Sequence, residues 1–341
     1  MEDFKDRLRL GEFEASTPDS LNVPGTFVGV GVDDSWNLKK FKKKFRITVV
    51  QLEGREMEFD MIGIDCSLVN TLRRVLLSNV PSMAIEKVYM YNNTSVIQDE
   101  VLSHRLGLIP LKADARLFEF PSKTDELSGT DSLMFELKIK CTRSPSASRS
   151  GEGVDPDALY VNHSVYSKHL SWIPVDEQQR TLYTAKQVGP IDPDILIAKM
   201  RPGHEIDCKL VAVKGIGSDH AKFSPVCTAY YRLLPEVRLT APVQGEDAEL
   251  LKTCFSPGVI EIDEDGRAKV VDARYDSCSR NVFRHEHLKD KILMTKKKDH
   301  FIFSVESVGA LRPDELVVEG LNFLIAKCDY FLLEEVGHLM Q

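Results

Sequence analysis

Residues 313 to about 336 place the tightest constraint on how this chain can fold. Pro313 suits the first turn of a helix, where its missing N–H would have had no intrahelical partner, and Asp314 and Glu315 set negative charge at the positive end of the helix dipole. Val317, Leu321, Leu324, Cys328 and Phe331 then recur at alternating spacings of four and three, and Leu316, Val318, Ile325 and Leu332 broaden the stripe. At about 1.5 Å per residue the helix is roughly 33 Å long. Burying each large apolar side chain is worth about 1.5 to 3 kcal/mol. The stripe must therefore be covered, either by its own domain or by another chain.

A second, shorter helix is predicted over residues 67–79. Asp65 or Ser67 can cap its start, and Pro81 keeps the residue before it out of helical geometry. Leu68, Val69, Leu72, Val75 and Leu76 form one apolar face, whereas Asn70, Arg73 and Arg74 point elsewhere. Strand patterning surrounds both helices, at 46–52 and 57–64 across a Glu53-Gly54-Arg55 turn, then at 84–90, 133–141, 205–213, 228–234 and 300–306. A short helix is expected at 98–106. The class is α+β. Residues 1–44 read as an extension ending in the basic tract Lys39, Lys40, Lys42, Lys43, Lys44 and Arg46, taken as a solvated approach to the first strand. Residues 142–157 read as a polar, flexible loop, and the acidic stretches 244–249 and 261–266 as solvated loops.

The 341 residues carry a net charge of −8, which argues against a surface that holds nucleic acid by itself. No apolar run approaches the 18 or so residues of a membrane helix, and the first ten lack the apolar centre of a signal peptide, so a soluble intracellular chain is expected. The seven cysteines are scattered, none in a CxxC pair, and are expected to be reduced and metal-free. Cys278, His285 and His287 are zinc-compatible donors without a diagnostic spacing or a fourth ligand. The tract from Lys214 to Lys222 is glycine-rich but lacks the ending of either a Walker loop or a dinucleotide loop, so a structural turn is expected. Asp219, His220 and Cys227 invite a nucleophile-and-base reading, but adjacency in sequence does not supply catalytic geometry and no hydrolase or kinase motif accompanies them. The basic tract suits nucleic acid, nuclear import or an acidic neighbour equally.

Residues 66–81, CSLVNTLRRVLLSNVP, closely resemble the N-terminal dimerisation helix of the α-like subunits of cellular RNA polymerases, and the likeness continues through AIEKVYMYNNTSVIQDEVLSHRLGLIPL. Residues 194–235 resemble the version shared by eukaryotic RNA polymerases I and III, and 301–336 the closing strand and helix of the family. The resemblance implies a discontinuous dimerisation domain, 45–88 with 228–341, carrying an inserted domain at 89–227. It implies a non-catalytic assembly subunit that acts in the nucleus, including the nucleolus, in rRNA, 5S rRNA and tRNA transcription. Its implied partners are a smaller α-like subunit, the largest and second-largest subunits and small zinc-containing subunits, with nucleic acid met only indirectly. Pairing would use Leu68, Val69, Leu72, Val75, Leu76, Val317, Leu321, Leu324, Cys328 and Phe331, with Asn70, Arg73 and Arg74 meeting the second-largest subunit. Some relatives are expected to carry clustered cysteines in the insert. Here that region has only Cys141, Cys208 and Cys227, so no metal or cofactor is expected. The rival readings are a subunit of another cellular polymerase, a homodimeric scaffold, and a stand-alone enzyme using Asp219, His220 and Cys227.

Overall fold

Two antiparallel sheets grow from the strands that alternation marks in the sequence. The computed structural model describes residues 7–16, 36–121, 127–144, 159–184 and 187–339, the last with side chains to 333. The chain divides into two compact units. One comprises Met1–Leu52, Met57–Arg73 and Tyr230–Ser304; the other comprises Glu53–Glu56, Arg74–Ala229 and Val305–Gln341.

The sheet of the first unit runs Ala15–Ser16, Arg7–Leu10, Ile292–Ser307, Glu56–Ile62, Arg46–Glu53, and Val226–Leu239 also pairs with Ile292–Ser307. Along Glu56–Ile62 the odd positions Met57, Phe59 and Met61 are buried, as a period of two demands, and Phe59 stacks on Phe303 at 5.1 Å. The even positions Glu58 and Asp60 grip Arg274, which is only 10% exposed, through its Nη2 and Nη1 at 2.7 and 2.9 Å. Burial works against the Arg274 charge, but the hydrogen bonds and charges of Glu58 and Asp60 outweigh it and raise its pKa. His300 Nε2 lies 3.0 Å from the same Asp60.

Three local expectations are corrected in this unit. The supposed extension contributes a strand: Arg7–Leu10 pairs antiparallel with Ile292–Ser307, Leu10 is buried and Arg7 Nε donates to Glu236 at 2.7 Å. Four residues are too few for alternation to stand out. The basic tract is the helix Leu38–Lys44 rather than a strand approach, with the Asn37 side chain accepting from Lys39 N and Lys40 N at 2.9 and 3.1 Å. Lysine is a good helix former, and the tract begins behind a good N-cap. The acidic stretch near 246 opens the helix Glu246–Cys254, whose Glu246, Asp247 and Glu249 sit in the first turn. Ala248, Leu251 and Cys254 form its apolar face, packed with Val243, Val259, Val282 and Leu288 in one core cluster.

In the second unit the sheet order is Ser171–Ile173, Ser132–Lys140, Glu205–Gly215, Ser82–Asn93, all antiparallel. Leu133, Phe135, Leu137 and Ile139 alternate inward against Leu102 and Leu106 of the helix Asp99–Gly107. The loop expected at 142–157 is shorter at its start, because Thr142–Arg143 pairs with Tyr160–Val161; residues 145–157 lie outside the described residues. Residues 17–35 of the N-terminal segment lie outside them as well.

The Arg274 clamp generates a stability test. Arg274→Ala takes the arginine partner from Glu58 and leaves Asp60 with His300, and is expected to cost about 3 kcal/mol in urea unfolding. Arg180→Ala, whose ion pair with Glu177 is open to solvent, is expected to change stability by less than about 0.5 kcal/mol.

Candidate subunit-pairing interface

The first pairing helix of the sequence reading forms over Cys66–Ser78, one residue earlier at each end than expected. The Asp65 carboxylate accepts from Ser67 N at 2.8 Å, giving one of the free N–H groups of the first turn a partner. Val69, Leu72, Val75 and Leu76, expected at the partner surface, are buried within their own chain. Periodicity identifies an apolar face but not who covers it. Leu68, at 48% exposure, is the one member of that set left open. On the polar side Arg73 Nε donates to Asn70 Oδ1 at 3.0 Å, and Arg74 is exposed. The pair is pre-oriented by its spacing of three, which places both residues on one helix face.

The glycine-rich tract finishes this helix. Ser218 N and Oγ both donate to the Ser78 carbonyl at 2.9 Å, and a Cβ on Gly217 would fall on the Leu77 carbonyl oxygen. Only glycine lets the two backbones meet there. His220 Nδ1 is held by Lys222 N at 3.1 Å in a local turn, which fixes the ring in a structural contact. Cys227 Sγ lies 3.7 Å from the Ser307 carbonyl, and burial, reinforced by Glu306 and Asp192 against the opposing pull of Arg55, raises its thiol pKa. A nucleophile needs the reverse shift. Asp219, His220 and Cys227 thus form a turn and a strand start, without the activated nucleophile of the stand-alone enzyme reading. Elsewhere, Cys278 is half-buried beside Asp276, and His287 Nε2 sits 3.3 Å from Asp247. Among the described residues no group of three or more His, Cys, Asp or Glu side chains is placed to hold a metal ion.

The terminal helix forms over Pro313–Leu339. Its start is fastened: Leu316 and Val317 are buried, and Arg116 Nη2 reaches Glu315 at 2.8 Å and Asp114 at 2.7 Å. Hydrogen bonding to Asp114 outweighs the opposing effect of burial and, with the charges of Asp114 and Glu315, raises the Arg116 pKa. Val317 is therefore another expected pairing residue that its own chain already covers. Beyond it the stripe opens. Leu324 is half-buried, Cys328 is exposed, and Leu321, Ile325, Phe331 and Leu332 are 40, 59, 55 and 60% exposed. Covering these side chains would be worth on the order of 10 kcal/mol before the costs of association.

A second uncovered surface went unread in the sequence. Every residue of the edge strand Arg46–Glu53 is exposed, including Ile47, Val49, Val50 and Leu52. The signal was available: apolar residues at both odd and even positions mark a strand meant to be covered on both faces.

An α+β chain that spends the first turns of a long helix on its own core and leaves the rest apolar and open is built to pair. Residues 58–328 match the RNA polymerase Rpb3/Rpb11 dimerisation domain, and the chain belongs to that family. The DNA-directed RNA polymerases I and III subunit RPAC1 of Mus musculus is 50% identical over 339 residues, covering 98% of this chain and 96% of the relative. The protein of the same name in Saccharomyces cerevisiae is 45% identical over 316 residues, covering 91% and 93%. The archaeal DNA-directed RNA polymerase subunit Rpo3 of Methanosphaera stadtmanae is 30% identical over 288 residues, covering 83% and 96%.

The raised thiol pKa gives a direct check. At neutral pH, Cys227 is expected to alkylate more slowly than free cysteine, because less of it is thiolate. The rate should rise with pH and level off only above the usual thiol range. Iodoacetamide labelling followed by peptide mass spectrometry across pH measures it.

Proposed function

We propose that this chain is a non-catalytic core subunit of RNA polymerases I and III, pairing with a smaller α-like subunit to form the platform on which the second-largest subunit assembles. The observation that carries this reading is the open apolar stretch of the terminal helix, in a family defined by dimerisation. Leu68, Leu321, Leu324, Ile325, Cys328 and Phe331 are the pairing residues, and the edge strand Arg46–Glu53 extends the same demand for cover. Val69, Leu72, Val75, Leu76 and Val317 are buried within this chain and serve its own core. Asn70, Arg73 and Arg74 meet the second-largest subunit, where an arginine fork suits carboxylates.

The pairing domain corresponds to 45–88 with 228–341 and the insert to 89–227. The largest subunit and the small zinc-containing subunits join the same assembly. The site of action is the nucleus, including the nucleolus, and the contribution to rRNA, 5S rRNA and tRNA synthesis is architectural. Nucleic acid is met through the other subunits.

Co-expression with the small α-like subunit of the same source, followed by size-exclusion chromatography with light scattering, tests the pairing. The wild-type chain is expected to give a one-to-one heteromer. Leu321→Asp with Phe331→Asp is expected to weaken it about a thousandfold, since desolvated anchors of this size cost about 2 kcal/mol each. The melting of the chain itself should hardly move, because both side chains are exposed in it. Retention of the heteromer by the double variant, or a discrete homodimer formed without any other chain, would overturn the reading.

A further inference from the structure

We propose that the short helix Leu38–Lys44 with Trp36 before it is a docking site for a short acidic segment of another protein, one that carries large apolar side chains among its carboxylates. The helix holds five lysines in seven residues, and Lys39, Lys40, Lys42 and Lys43 are exposed and make no ion pair with any other described residue. They are not a uniformly wet face. Trp36 is 66% exposed and Leu38 48%, Trp36 lies 6.4 Å from Phe41, and Phe41 stacks on Phe45 at 5.1 Å. Lysines therefore share about three turns' worth of chain with the exposed Trp36 and Leu38 and the half-buried Phe41 and Phe45, which suits a ligand that is both acidic and apolar.

The helix is anchored, so the charges are presented from a fixed place. Lys44 Nζ bonds Asp299 at 2.9 Å, and the Asp299 carbonyl accepts from Gly63 N at 2.7 Å. The strand carrying Asp299 supplies Lys296, Lys297 and Lys298 immediately before it, all partly exposed. Lys44 with Asp299 shows within the chain the pairing that the neighbouring lysines offer to a partner.

Nucleic acid is the rival occupant, and the charge distribution disfavours it. The whole chain stands at −8 with this tract counted in, so the remainder is more acidic still. A helix of seven residues is about 10 Å long, close to one Debye length at physiological salt. A duplex carries a charge every 1.7 Å or so and runs far past such a patch onto the acidic remainder. A compact acidic segment matches the patch and stops.

Fluorescence anisotropy on the full-length chain at physiological ionic strength tests the proposal, with a labelled peptide of glutamates interrupted by phenylalanines, and a single-stranded DNA oligonucleotide of equal charge for comparison. The peptide is expected to bind more tightly than the oligonucleotide. Charge reversal at Lys39, Lys40, Lys42 and Lys43 together is expected to weaken it by about tenfold or more. Trp36→Ala is expected to weaken it about fivefold, and to have no effect on a peptide in which serines replace the phenylalanines. An unchanged thermal melt certifies the four-lysine variant; should it unfold, Trp36→Ala alone decides. Absence of peptide binding, full affinity in the variants, or tighter binding of the oligonucleotide would overturn the proposal, the last by assigning the patch to nucleic acid.

Discussion

The rest of this structure depends on the cost of leaving apolar helix surface in water. The terminal helix docks Leu316 and Val317 and then presents Leu321, Ile325, Phe331 and Leu332 to solvent, while Arg116, clasped to Asp114 and Glu315, fastens its start. Exposed apolar surface of this kind marks an interaction site. The same chain leaves a whole edge strand, Arg46–Glu53, uncovered. Unpaired edges and open apolar faces are liabilities that association removes. Pairing is thus the thermodynamic complement of the fold rather than an addition to it.

What the chain keeps for itself is equally informative. The inner face of Cys66–Ser78 is fully committed, its end closed by Gly217 and Ser218 on the Leu77 and Ser78 carbonyls. Its outer face holds Asn70 and Arg73 already joined, with Arg74 beside them. A rigid helix whose side chains are pre-oriented loses less entropy on docking than a mobile one. In the first unit, Arg274 does comparable work within the fold, binding Glu58 and Asp60 on a single strand. These are the features of an architectural part, in which polar groups are used for position.

Much of the fold was legible in the sequence, because long elements repeat their period often enough to be read. The helices at 66 and 313 and the strands at 46, 56, 82, 132 and 205 all formed within a few residues of the reading. Short elements were not legible. Arg7–Leu10 has too few residues to show alternation, and the acids that open Glu246–Cys254 look like a loop until Ala248, Leu251 and Cys254 are seen on one face. The division of the apolar set was also hidden. Leu68 and Leu72 are equivalent in pattern, yet one is open and the other buried, since a stripe records the need for cover and not its source. Asp219, His220 and Cys227 lacked any accompanying catalytic motif in the sequence, and the contacts of His220 with Lys222 N and of Cys227 with Ser307 add what the pattern alone could not show, a structural place for the ring and the thiol.

The central claim is that another polymerase subunit covers the open stretch of the terminal helix. Hydroxyl-radical footprinting of the chain alone and in the assembled polymerase, read at Ile325, Phe331 and Leu332 by mass spectrometry, tests it most directly. The account predicts strong labelling in the free chain and marked protection in the assembly. Equal labelling in both states would contradict it.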